Sequence, residues 1–148
     1  MKQEVVILEA EDEEGHADLI RRNLRRAGIT NQLLLFKDGQ EISDFLFRNG
    51  DGPHREPGIR YVLLLDIRMP KVSGTEILRK IKADPELRKM PVIMITTSDD
   101  PYEIELCHKL GCNNFITKPV EYEAFANAVR QLGQFLSVVQ IPKVNGVY

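Results

Sequence analysis

Short apolar runs alternate along this chain with longer stretches in which apolar residues recur every three or four positions. Val5 to Ala10 (VVILEA) is the first run and predicts a strand. From Gly15 to Ala27, the residues Ala17, Ile20, Leu24 and Ala27 share one helical stripe, with Arg21, Arg22, Arg25 and Arg26 mostly facing water. Gly28 supplies the stop. Gln32 to Phe36 predicts a second strand, and Gln40 to Arg48 a second helix carrying Ile42, Phe45 and Leu46. The stretch NGDGPHREPG, residues 49–58, is dense in Gly and Pro and without periodicity, so it reads as a loop. After it comes YVLLLDIRMP, Tyr61 to Pro70, a nearly unbroken apolar run of the kind buried on both faces of a parallel sheet. It delivers Asp66 to its end.

The alternation continues to the C-terminus. Gly74 to Ala83 predicts a helix with Ile77, Leu78 and Ile81 inward, closed off by Asp84-Pro85. Val92 to Thr96 is an apolar strand, Tyr102 to Leu110 a weaker helix before Gly111, and Asn114 to Thr117 a short strand ending at Lys118-Pro119. Val120 to about Val139 predicts a long helix with Phe125, Ala128, Val129, Leu132, Phe135, Leu136 and Val139 on one side. Five strands alternating with five helices predict an α/β fold, a five-stranded parallel doubly wound sheet. The extent fits one domain over residues 1–148, with a core of about 4–138 and a tail from 139 to 148. Residues 142–148 are expected to be an arm or disordered. Phe135, Leu136, Val138, Val139 and Ile141 run past the length needed to cover the sheet, which predicts a partner surface there.

Charge changes this picture little, because 20 basic and 22 acidic residues leave a net charge of -2. Neither nucleic acid nor an anionic membrane is an expected partner. The N-terminus turns acidic after its short apolar run, unlike a secretory signal, and no segment has the ~18 apolar residues of a membrane span. A cytoplasmic location is expected. Cys107 and Cys112 lie in no metal or redox pattern, and His16, His54 and His108 are scattered, so packing or surface roles are expected for all five.

The chemistry lies in what a parallel sheet would collect at one edge. In such sheets ligands bind beyond the carboxyl ends of the strands. After the first strand come Glu11, Asp12, Glu13 and Glu14, with Glu9 just inside it; after the third comes Asp66; after the fourth Thr96, Thr97 and Ser98; after the fifth Lys118. Several carboxylates at close range need a counter-cation. Hard oxygen donors of this kind suit Mg²⁺, which takes one or two carboxylates together with phosphate. A lysine and a hydroxyl supply the charge and hydrogen bond that phosphoryl oxygens require. A carboxylate can itself accept a phosphoryl group.

These residues, Glu11-Asp12, LLLDIRMP around Asp66, Gly74, ITTS carrying Thr96 and FITKP carrying Lys118, resemble the receiver domain of two-component response regulators. The resemblance spans roughly residues 4–138. Thr96 lies 30 and Lys118 lies 52 residues after Asp66, which fits the family spacing. The resemblance implies a flavodoxin-like sheet of order 2-1-3-4-5. It also implies a phospho-acceptor, Asp66, in a protein that assists its own phosphorylation and is not an enzyme in the ordinary sense. Glu11, Asp12, Asp66 and the main-chain carbonyl of Arg68 would hold Mg²⁺. Thr96 and Lys118 would bind the phosphoryl group, Phe115 would be the aromatic switch, and the Lys118–Pro119 bond would be cis. The implied donor is a sensor histidine kinase. The long segment before ITTS and the lack of an output domain resemble small stand-alone regulators, including those serving bacterial phytochrome kinases.

A homodimer is expected through helix 4, strand 5, helix 5 and the C-terminal extension. Two features depart from the family: Glu9 stands where an apolar strand residue is usual, and Phe115 stands where Tyr is common. Rival readings fare worse. An Asp-dependent phosphatase would want a second acid where Arg68 stands, and a flavodoxin-type binder would want a Ser/Thr/Gly loop where Glu11 to Glu14 stand. The remaining alternative is a pseudo-receiver, a dimeric interaction module that works without phosphorylation.

Overall fold

The computed structural model describes residues 4–146. Its first strand, β1 (Val5–Ala10), is followed by α1 (Glu14–Arg26), β2 (Leu33–Phe36), α2 (Gly39–Phe47) and β3 (Ile59–Leu65). Next come α3 (Gly74–Ala83), a short 3-10 turn at Leu87–Lys89, β4 (Val92–Thr96), α4 (Pro101–Leu110), β5 (Asn114–Thr117), α5 (Tyr122–Leu136) and β6 (Lys143–Val144). The strands β2-β1-β3-β4-β5 lie side by side in that order and are all parallel. This is the doubly wound, flavodoxin-like arrangement. Among the described residues no helix is long and apolar enough to cross a membrane.

Both faces of the sheet are covered, which is why its central strands are apolar throughout. Successive strand residues point to opposite faces. Leu8 and Ala10 of β1, Leu63 and Leu65 of β3, and Val92 and Met94 of β4 pack with Ile42 and Phe45 of α2, Ile77 and Ile81 of α3 and Cys107 of α4. Val5 and Ile7, Val62 and Leu64, and Ile93 and Ile95 pack on the other face with Leu19, Ile20 and Leu24 of α1 and Phe125, Val129 and Leu132 of α5. Helices α1 and α5 approach closely at Gly133, where an added Cβ would stand 2.7 Å from the Ala27 Cβ. Helix starts follow capping chemistry. Asp38 accepts from the Glu41 amide at 2.8 Å and Asp100 from the Tyr102 amide at 2.9 Å.

The C-terminal residues depart from expectation. Helix α5 stops at Leu136, and Leu136 faces the core while Phe135 is 46% and Val138 74% exposed. Ile141 and Val144, expected in a tail, are buried in the two apolar clusters. Lys143–Val144 runs antiparallel to the start of β3, with Val144 opposite Ile59, on the flank that β4 takes up only from Leu63 onward. The Arg60 guanidinium donates to the Ile141 carbonyl at 3.0 Å, and the Gly58 amide donates to the Val144 carbonyl at 3.0 Å. The expected arm is therefore a sixth strand; residues 147 and 148 lie outside the described residues. The expected loop at 49–58 is also anchored, because buried Arg55 donates to the carbonyls of Leu46 at 2.9 Å and Asn145 at 3.1 Å.

Glu9 sits by its period on the α1–α5 face of β1, 1% exposed, and neither carboxyl oxygen has a hydrogen-bond partner. Burial, reinforced by the charge of Glu11 and only partly opposed by Lys118 and Arg21, pushes its pKa up to about 8. An unfolded Glu ionises near its ordinary value, so between about pH 5 and pH 7.5 Glu9 holds a proton in the folded chain that it has lost in the unfolded one. Its contribution to stability is then greatest at the acid side and falls as pH rises.

Two measurements test these placements. Val144→Asp should destabilise the fold by about 2–4 kcal/mol in urea denaturation, because it forces a charge into an apolar cluster; an unchanged midpoint would show that the C-terminal strand is not docked. In metal-free buffer, Glu9→Gln should remove a fall in stability of about 1.4 kcal/mol per pH unit between about pH 5 and 7.5. Identical slopes for wild type and variant would mean that Glu9 ionises normally in the fold.

Candidate functional site

Glu11, Asp66, Thr96 and Lys118 stand at or one position beyond the end of a strand, where the sheet's own ladder holds them, while Asp12 and Arg68 follow in the loops after β1 and β3 and Phe115 lies within β5. The Asp66 amide donates to the Ala10 carbonyl at 3.1 Å, and the Glu11 amide to the Phe36 carbonyl at 3.0 Å, so pairing continues just past β3 and β1. The Lys118 amide does the same beyond β5, donating to the Thr96 carbonyl at 2.6 Å. The chain then turns back sharply after Asp66. Gly74 opens α3 with its amide 2.7 Å from the Ile67 carbonyl, and a Cβ there would fall 2.0 Å from the Asp66 carbonyl oxygen. Only glycine permits that approach.

The carboxylates of Glu11, Asp12 and Asp66 converge, with one oxygen from each lying within 4.8 Å of the others. Glu11 and Asp66 are buried and Asp12 is exposed. The Lys118 ammonium reaches the same cluster from the end of β5. It donates to Glu11 Oε1, to Asp66 Oδ2 at 3.1 Å and to His16 Nδ1 at 3.0 Å, using all three of its protons. One ammonium among three carboxylates leaves an excess of negative charge. Its effect is seen at Glu11, whose pKa rises to about 7, first through burial and with Asp66 adding to it, against the lowering influence of Lys118. An all-oxygen donor set of this charge fits a hard divalent cation, which would relieve the excess.

The other expected residues surround this centre. Thr96 is fully buried at the end of β4, and its Oγ1 accepts a long hydrogen bond, 3.4 Å, from the Ser98 amide. The Arg68 amide lies 3.4 Å from Asp66 Oδ1. Phe115, on β5, is half-buried against the cluster shared by α2, α3 and α4, its ring 6.4 Å from that of His108. One expectation fails: Gly52–Pro53 is the only cis peptide among the described residues, so Lys118–Pro119 is trans. Trans is the form that X–Pro bonds prefer by about 0.5–1 kcal/mol, and Lys118 reaches the carboxylates from it.

Sequence reasoning missed two contributors. His16 was expected at the surface or in packing, yet it contacts the Lys118 ammonium and sets its ring edge-on to Phe125, centroids 5.6 Å apart. Its position one helical turn after Asp12 was the available signal. Glu103, in the first turn of α4, accepts from Ser98 Oγ at 2.5 Å and from the Arg68 guanidinium at 2.8 Å through the same oxygen. These bonds tie the segment after Asp66 to the β4–α4 turn, 35 residues away, and no local pattern marks them.

Comparison with known proteins agrees with the geometry. The family model for the response regulator receiver domain matches residues 7–130. A receiver domain structure from Rhodospirillum rubrum is 45% identical, covers 95% of this chain and 99% of its own, and superposes with a TM-score of 0.89. The Mn²⁺-bound form of response regulator Rcp1, a protein of Synechocystis, is 28% identical over 93% of this chain and 98% of its own, with a TM-score of 0.83. The phosphorylated cyanobacterial phytochrome response regulator RcpA is 28% identical over 93% of this chain and 97% of its own, with a TM-score of 0.82. With the model matched over most of its length and the acidic centre assembled at the strand ends, the chain belongs to the response regulator receiver domain family of two-component systems.

Proposed function

We propose that the chain works as one receiver unit in the cytoplasm, taking a phosphoryl group onto Asp66 from a phosphohistidine of a sensor histidine kinase and changing its affinity for a partner as a result. The observation that carries this reading is the convergence of Asp66 with Glu11, Asp12 and the Lys118 ammonium, delivered by three different strand ends. The likeness to RcpA and Rcp1 points to a kinase of the bacterial phytochrome type.

In this reading an Asp66 carboxylate oxygen attacks phosphorus, the P–N bond of the donor breaks, and its electron pair returns to the imidazole. The chain therefore accepts a group and does not turn over a substrate as an enzyme does. Glu11, Asp12, Asp66 and the carbonyl of Arg68 would hold Mg²⁺, which when bound neutralises charge on the phosphoryl oxygens. Lys118 turns its ammonium from Asp66 to a phosphoryl oxygen, and the Thr96 hydroxyl donates to another. The added charge of about -1.5 to -2 must be met by both groups. Movement of Thr96 then opens space for Phe115 to rotate inward. The surface of α4, β5 and α5, where Tyr122, Phe135 and Val138 are exposed, is the region that would change and would pair two copies.

Incubation with acetyl phosphate, or with a phosphorylated histidine kinase, in the presence of Mg²⁺ should add one phosphoryl group by intact mass. Asp66→Asn should abolish the gain, and removing Mg²⁺ should slow it by at least about tenfold. No gain in wild type with either donor would sink the proposal in favour of an interaction module independent of phosphorylation.

A further inference from the structure

His16 occupies a position at this centre that the phosphorylation chemistry alone does not explain. It lies in the first turns of α1, half-buried, edge-on to Phe125 of α5, with Nδ1 3.0 Å from the Lys118 Nζ. An ammonium has only protons to offer, so Nδ1 must be the acceptor, and the proton of the neutral ring lies on Nε2. Burial and the neighbouring Lys118 charge hold the imidazole below its ordinary pKa, against the opposite pull of Glu13, Asp66 and Asp12. The ring is thereby kept in the form able to accept.

The three acceptors of Lys118 differ in what phosphorylation does to them. Glu11 and Asp66 belong to the carboxylate cluster, so a divalent cation and a phosphoryl group both draw on them. His16 is neutral, comes from a different turn and belongs to neither demand. We propose that His16 is a positioning residue whose Nδ1 holds the Lys118 ammonium beside Asp66, within reach of a phosphoryl oxygen, while Glu11 and Asp66 are engaged by a cation and a phosphoryl group. This rests on the reading of Asp66 as phospho-acceptor. A residue that merely packed on Phe125 would need no acceptor atom facing the ammonium.

Two substitutions separate the roles. His16→Leu keeps apolar bulk and loses the acceptor, whereas His16→Asn places an amide oxygen close to where Nδ1 stands. His16→Leu should slow phosphorylation by acetyl phosphate about tenfold, the lower end of what one hydrogen bond to a charged group is worth. His16→Asn should restore most of the rate. In a Lys118→Met background, His16→Leu should cause no further loss, as expected for two residues acting as one unit. Equal rates for wild type and His16→Leu, an Asn variant as slow as the Leu variant, or an added loss without Lys118 would each overturn the proposal.

A second readout needs no phosphorylation. In metal-free protein the ¹⁵N spectrum should show an unprotonated Nδ1 on His16 whose shift moves on Lys118→Met. An unmoved signal would overturn the proposal even if Asp66 accepts a phosphoryl group. A wild type that accepts none would instead sink the functional reading, while the spectrum still reports the contact.

Discussion

A single ammonium group balances the acidic end of this sheet. Lys118 lies among Glu11, Asp66 and His16, and with both of its carboxylate partners buried there is little water to screen them. Buried charges are tolerated when they are paired and hydrogen-bonded, and removing one partner of such a set is far more damaging than never having built it. The pairing is incomplete by charge: Asp12 adds a third carboxylate, and Glu11 is pushed up to about 7. The centre is thus stable enough to form in the fold and still short of positive charge. That combination gives a divalent cation a reason to bind and gives Lys118 a reason to move when a new anion arrives.

The sheet supplies the geometry that makes this balance possible. Glu11, Asp66 and Lys118 reach the edge because main-chain pairing runs one residue past each strand, and Gly74 lets α3 start against the Asp66 carbonyl. The α1–α5 face contributes in a different way. It carries His16 against Phe125 and, one layer deeper, the unpartnered carboxyl of Glu9. Burial there keeps Glu9 protonated near neutral pH, and ionising it would cost stability that the apolar clusters on both faces must offset.

Much of this was legible in the sequence because the strands are apolar on both faces and end abruptly in charged residues. YVLLLD can hardly be read otherwise, and the edge residues follow from parallel order alone. What escaped notice has a common physical origin. The C-terminal strand has only two residues, too short for a period of two to show, and its partner at Ile59–Arg60 lies far back in the chain. The apolar residues at and just past the end of α5 suggest an outward surface, although Leu136 and Ile141 face in and Phe135 and Val138 face out. Periodicity places residues on a face of a continuous helix, but it loses its hold where the helix stops at Leu136. His16 and Glu103 escaped because a single polar residue on a helix carries no pattern; what it touches is set by the packing of other elements.

Glu103 also shows how the centre is joined to the surface. Thr96 is fully buried, so its hydroxyl has no water to turn to, and its Oγ1 accepts a long 3.4 Å bond from the Ser98 amide. Ser98 in turn donates to Glu103, which is also held by Arg68 from the segment that follows Asp66. A displacement of Thr96 toward a phosphoryl group would carry the Ser98 segment with it and strain a carboxylate shared by two donors. The weak bond is the one beside the chemistry, and the short ones lie in the first turn of α4. On the proposed reading, rearrangement would begin most easily at Thr96, and the first element outside the centre to respond would be α4, whose outer residues Tyr102, Glu105 and Lys109 are exposed.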